Sequence, residues 1–281
     1  MASGSTRSGV VTAPPVGPDD PLVRTLRRHE RERFLASLFA PADRRAGLWA
    51  LLAFNFEIAR VRETVSQPLL GQIRLQWWRD VLDEAYGGRP VRRHAVATPL
   101  AETIRRWPVR RDRLDALIDG RERDLDPSPP ATLAELDAYA EATSSRLHEA
   151  MLDVLGVTEP AAIEAARAIG AGWALTGLVR AIPFHAASGR NWLPQELDAE
   201  ADPRAAVRRI VALARSRLAT ARALQGSVPR AALPALLPGR LVDRHLARIA
   251  AAGFDPAAPA LAMPDPWTAL RLWWAATLGR F

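Results

Sequence analysis

Apolar residues recur along this chain at steps of three and four, and the strict alternation of a half-buried strand is nearly absent. That periodicity confines the chain to an all-α fold, which prolines and glycines cut into segments. A first helix is predicted after Pro21, carrying RTLRRHERERFLASLFA up to Pro41. Asp43 is expected to cap the next, ADRRAGLWALLAFNFEIARVRETV, whose Leu48, Leu51, Leu52, Ile58 and Val61 form a core-facing stripe. After Pro68, IRLQWWRDVLDEAYGG ends at Gly87-Gly88, a C-cap signal reinforced by Pro90. Further helices are predicted from Pro99 to Arg106, over RRDRLDALIDGRERDL before PSPP, from Thr132 to Leu155 and from Glu159 to Arg180. Residues 204–225, 238–252 and the closing PWTALRLWWAATLGRF complete the set. With no fixed repeat and no long linker, the expectation is a single domain over residues 21–281, a bundle of roughly ten helices with antiparallel neighbours. Residues 1–20, rich in Ser, Gly, Thr, Val and Pro, read as a disordered lead-in.

Composition excludes several chemistries. Cysteine is absent, so disulfides, thiolate catalysis and cysteine-ligated metals are ruled out. No lysine occurs, so there is no Schiff-base amine and no P-loop lysine; all the basic residues are arginines. The net charge of +7 favours anionic partners such as phosphates, acidic lipid surfaces or an acidic protein face. No nucleic-acid-binding motif accompanies it. The longest apolar run, Ala46 to Phe56, is too short to cross a bilayer. The expected location is cytoplasmic, not secreted and without a transmembrane helix, any membrane contact being peripheral to the inner face.

The stretch Gly172–Pro194, GWALTGLVRAIPFHAASGRNWLP, reads as a buried helix with a Pro-interrupted end and a small-residue turn. Ala174, Gly177, Ala181 and His185 share one of its faces, nearly bare of polar groups, with Arg180 beside it and Gly189-Arg190 after it. The five histidines (His29, His94, His148, His185 and His245) show no metal-ligand spacing and read as surface or hydrogen-bonded residues. Asp115, Asp119 and Glu122 on one helix, and Glu57 and Glu63 around Arg60 and Arg62 on another, suit solvated, ion-paired faces. In the last segment Trp267, Leu270, Trp274 and Leu278 form a stripe beside Arg271 and Arg280. Either an interfacial helix on an acidic membrane or a helix packed on the core would account for it.

The segments LLAFNFEIARVRE (51–63), LQWWRDVLDEAYGG (75–88), LIDGRERDL (117–125) and Gly172–Pro194 together resemble the squalene/phytoene synthase family, over about residues 25–280. The resemblance implies an isoprenoid-synthase-like helical bundle around a central cavity. In active members two aspartate-rich motifs face each other there and hold the Mg²⁺ ions that bind two prenyl diphosphates. Here the first motif falls on Ala59, Arg60, Val61, Arg62 and Glu63, and only Glu63 is a carboxylate. In the second, the amide positions fall on Ala174 and Gly177 and the aspartate positions on Ala181 and His185, with Phe184 between them. Arg180, Gly189, Arg190, Leu193 and Pro194 keep the family pattern.

FEIARVRETVSQPLLGQIRLQWWRD is more similar to the family's non-synthase branch, which includes the mitochondrial complex I assembly factor and its proteobacterial relatives. The resemblance then implies a non-catalytic protein without cofactor, acting in assembly of a membrane-associated system or binding an isoprenoid. Its partners would be a membrane surface or a membrane-complex subunit. The alternative is an active head-to-head prenyltransferase using Mg²⁺. No catalytic residue and no metal ligand is assigned. Arg60, Glu63, Arg180, His185 and Arg190 are the expected polar end of any cavity ligand, with Glu57, Ala59, Ala174, Gly177 and Ala181 around it.

Overall fold

A computed structural model describes residues 20–197 and 202–281; of the lead-in expected over residues 1–20, residues 1–19 lie outside the described part. Fourteen α-helices and no strand are found among the described residues. They are α1 (Pro21–His29), α2 (Arg31–Ser37), α3 (Ala42–Ala59), α4 (Pro68–Tyr86), α5 (Ala97–Arg106), α6 (Arg111–Glu122) and α7 (Leu133–Ala140). There follow α8 (Arg146–Leu155), α9 (Pro160–Ala187), α10 (Pro203–Ala223), α11 (Leu233–Leu236), α12 (Pro238–Ala251), α13 (Pro259–Ala262) and α14 (Thr268–Leu278).

Several local details correct the periodicity reading. The predicted first helix is two, because Glu30 leaves helical geometry at φ −122°, ψ 30°. Its carboxylate clamps Arg33 at 2.8 and 2.9 Å, so a side-chain pair holds the corner. Asp43 does not cap α3: Pro41 occupies the N-cap, and Asp43, in the first turn, pairs with Arg44 at 3.3 Å. Asp20 does cap α1, its carboxylate accepting from the Leu22 N–H at 2.7 Å. The predicted Thr132–Leu155 helix contains a π-turn over Glu141–Ser145, which separates α7 from α8. Pro183 does not end α9, which continues to Ala187. The ring costs one main-chain bond to Val179, but Pro183 and Phe184 are exposed, so no packed neighbour is displaced. The helix stops at Gly189, whose φ of 68° allows the Arg190 N–H to reach the His185 carbonyl at 2.9 Å.

The core forms around α3 and α9. Leu48, Leu51, Leu52 and Phe54 of α3 are wholly buried, and a helix apolar on all sides must lie inside. α9 packs along α10 and against α7, α8, α12 and the π-turn. Ser145 donates to the Arg167 carbonyl at 2.6 Å, and opposite it Gly170 allows backbone contact. A Cβ at residue 170 would lie 2.5 Å from Ser145 Cα.

Candidate functional site

A central cavity of about 820 Å³ opens between the C-terminal ends of α3 and α9. Ala59, Arg62, Glu63 and Val65 form one wall, and Trp173, Ala174, Gly177, Ala181, Phe184 and His185 of α9 form the facing one. Arg121, Asp124, Tyr139, Thr143 and Ser144 close the side, Arg190 and Trp192 the loop end, and His29, Glu30, Arg33 and Asn55 the remainder.

Most of the residues singled out in the sequence meet here, for a simple reason of phase. Ala59, Arg62 and Glu63 are three and four residues apart and share a side of the chain; Ala174, Gly177, Ala181 and His185 do so on α9. The same phase carries Glu57 and Arg60 elsewhere. They pair at 3.6 Å and, with Trp77, Trp78 and His94, line a separate hollow of about 270 Å³. Arg180 also turns away. Its guanidinium lies 3.8 Å from Glu32 in an adjoining hollow of about 470 Å³. His245 there meets the Glu32 carboxylate at 3.0 Å. Burial raises the Glu32 carboxyl, but the hydrogen bond and charge of His245, with Arg180 and Arg248, outweigh it and hold the group below its ordinary value. Arg60 and Arg180 therefore do not sit at the polar end of the central cavity.

The cavity's polar groups were largely invisible in the sequence. Arg121 donates to Tyr139 Oη at 2.8 Å and to Asp124 at 3.3 Å, while the Tyr139 hydroxyl donates to Asp124 at 2.7 Å. Burial pushes the Tyr139 phenol above its ordinary value; Arg121 opposes this and Asp124 adds to it. Arg33, held by Glu30, also donates to the Asn55 side-chain oxygen at 3.2 Å, and the Asn55 amide donates to the Thr143 carbonyl at 3.3 Å. Trp192 packs on Tyr139 with ring centres 4.6 Å apart, and Arg190 stacks over it at 5.3 Å. His185 is held below its ordinary value by burial and by Arg190. One clue did exist: Arg121 and Asp124 both lie in LIDGRERDL, one of the segments that carried the resemblance.

These groups do not fit a cluster of Mg²⁺ ions. Among the described residues the cavity has three carboxylates: Glu30 is engaged by Arg33, Asp124 by Arg121 and Tyr139, and Glu63 has no arginine within 4 Å. The facing wall offers Ala174, Gly177 and Ala181, none with a side-chain oxygen. Among the described residues no three His, Asp or Glu side chains are grouped for a metal ion. What the cavity has instead is arginine: Arg33, Arg62, Arg121 and Arg190 line it. Among the described residues Arg121 Nε, Ser144 Oγ and Trp192 Nε1 have no hydrogen-bond partner, but all three atoms are buried away from the cavity's open space.

The other flagged groups have structural partners. Asp119 and Glu122 both take Arg79, at 2.6 and 2.8 Å, and Asp115 takes Arg111 at 3.1 Å. His94 accepts from the Val96 N–H at 3.1 Å. His148 is the exception to the expected satisfied histidines. Its Nδ1–H donates to the Ala235 carbonyl at 2.7 Å, but its buried Nε2 has no partner among the described residues.

Comparison with known proteins agrees with this architecture. The chain is 31% identical to NADH dehydrogenase (ubiquinone) complex I, assembly factor 6, of Bos taurus, over 87% of this chain and 78% of that protein. It is 30% identical to the Homo sapiens protein of the same name, over the same shares. The crystal structure of squalene synthase HpnC from Alicyclobacillus acidocaldarius superposes with a TM-score of 0.73 at 20% identity, covering 84% of this chain and 94% of that one. At that identity the likeness is one of fold. The squalene/phytoene synthase model matches residues 26–268, and the chain belongs to the squalene/phytoene synthase family.

Proposed function

We propose that this protein keeps the squalene/phytoene synthase fold without prenyl transfer and acts in assembly of a membrane-associated respiratory complex of the complex I type. The observation that carries the reading is the α9 wall, where Ala174, Gly177 and Ala181 face a cavity whose other carboxylates are mostly spent on arginines. Ionising two prenyl diphosphates requires several negative charges to be neutralised, and metal ions supply many orders of magnitude in rate. One exposed glutamate beside Arg62 cannot assemble that charge. The names of the relatives at about 30% identity support the assembly role.

The cavity itself favours a bound ligand over a vestigial space. Its volume suits a small organic molecule, and the Arg62 and Arg190 guanidinium groups on its lining suit an acceptor-bearing end. An isoprenoid is the class the fold would hold. The test is incubation of the purified protein with farnesyl or geranylgeranyl diphosphate and Mg²⁺, alongside deletion of its gene in the source organism. The expected results are no diphosphate release, and loss of assembled complex I that the wild-type gene restores. Turnover at an ordinary enzymatic rate would establish the head-to-head prenyltransferase instead.

A further inference from the structure

Helix α14 is apolar on both sides. Thr268, Leu272 and Ala275 are buried against the body of the protein. On the outer side Trp267 is 60% exposed, Trp274 60%, Leu270 53%, Trp273 51% and Leu278 50%. A surface helix normally turns a charged face to water, and a monomer seldom displays this many large apolar side chains in one patch. The patch borders an open groove of about 880 Å³ whose other bank is the Arg240, Asp243, Arg244 and Ala247 face of α12.

The charge around the groove is one-sided. Asp243 is shared by Arg222 and Arg240, and Asp265 by Arg244 and Arg271. Among the described residues Arg280, which lines the groove, has no carboxylate within 4 Å. Five guanidinium groups thus stand against two carboxylates, leaving a cationic rim on an apolar ridge. Tryptophan is the side chain best suited to a boundary between hydrocarbon and water, having an apolar body and one N–H for the wet side. Three tryptophans lie on this one short segment.

We infer that α14 and the facing side of α12 dock on a bilayer containing anionic lipids. The tryptophans and leucines enter the headgroup–acyl boundary, and Arg240, Arg271 and Arg280 meet lipid phosphates. At 11 residues α14 can only lie along the surface, and no described helix is long and apolar enough to cross a membrane. The inference names a surface and does not depend on what the central cavity holds.

Vesicle flotation of the full chain tests it, with phosphatidylcholine alone against phosphatidylcholine and phosphatidylglycerol at about 7:3, a content of anionic lipid that gives a strong surface potential. Wild type should float with the anionic vesicles only, and rising salt should release it. The double variant Trp267→Ser/Trp274→Ser should lose at least about tenfold in partitioning, since it withdraws two large apolar side chains. Arg280→Gln should lose about fivefold, the equivalent of about 1 kcal/mol per surface arginine. Circular dichroism and melting of both variants should match wild type, because the altered side chains are exposed. Equal flotation of wild type and the tryptophan variant would overturn the inference, as would equal binding to neutral vesicles. Self-association that disappears in the tryptophan variant, with no flotation of wild type, would assign the face to a second copy. None of these readouts involves prenyl diphosphates or a respiratory complex, so this inference and the assembly reading can fail separately.

Discussion

The two halves of α9 contain the same small residues for opposite reasons. In the first half Gly170 lies where a methyl group would meet the Ser145 main chain at 2.5 Å. In the second half a methyl group at Gly177 would meet nothing within 4 Å. One glycine permits contact between backbones, and the other borders empty space. The first half fixes the fold, and the second leaves a site that can change with little cost to folding.

Four measurements can break or sharpen that contrast. The largest effect is expected from Gly170→Ala, which should cost about 3 kcal/mol in urea unfolding, since main chain cannot step aside as a flexible side chain can. A loss below about 0.5 kcal/mol would erase the distinction between the halves. Next is the acid response of His148, buried on α8, which packs against α9. Burial, aided by the charge of Arg33, lowers its pKa to about 3. Between its unfolded value and that point the unfolded chain binds a proton that the folded chain refuses, so stability falls as pH falls. This group alone contributes a slope of about 1.4 kcal/mol per pH unit. From pH 7 to pH 5, His148→Gln should therefore lose less stability than wild type; an equal loss would mean that the ring is not shielded.

In the open half the sign of the glycine substitution changes. Gly177→Ala should stabilise by about 0.5–1 kcal/mol, the helix gaining from a stiffer residue with no steric penalty. Destabilisation would show that the cavity wall is closer than 4 Å in solution. The smallest effect belongs to Ala181→Asp, which places a carboxylate in the cavity and should lower stability by about 0.5 kcal/mol through the lower helix propensity of aspartate. A thermal melt is enough to check it.

Much of the fold was legible because it depends on period. The all-round apolar character of α3, the glycine stops and the prolines at helix starts are local signals, and they led to an all-α chain. The breaks that failed were those decided by partners. Glu30 turns the chain because Arg33 lies three residues on and Asn55 waits across the bundle. Pro183 does not stop α9: it forfeits one main-chain bond, and the helix still runs on to Ala187. At the site, helical phase brought Ala59 and Glu63 opposite Ala174, Gly177 and Ala181. Phase also separated Arg180 from Ala181, although they are neighbours in sequence. The Arg121–Asp124–Tyr139 network was hidden for another reason: its tyrosine lies 15 residues beyond the aspartate, and only tertiary packing joins them.

The π-turn at Glu141–Ser145 also acts as a rotational offset. It holds one more residue than a regular α-helical turn would need, and each helical residue advances the side chains by about 100°. Deleting one residue there would leave a more regular helix running into α8. It would also swing every following side chain by that angle relative to Tyr139, and His148 would leave the Ala235 carbonyl. The added residue therefore sets two faces of one rod independently, the earlier one turned toward the cavity and the later one toward the core.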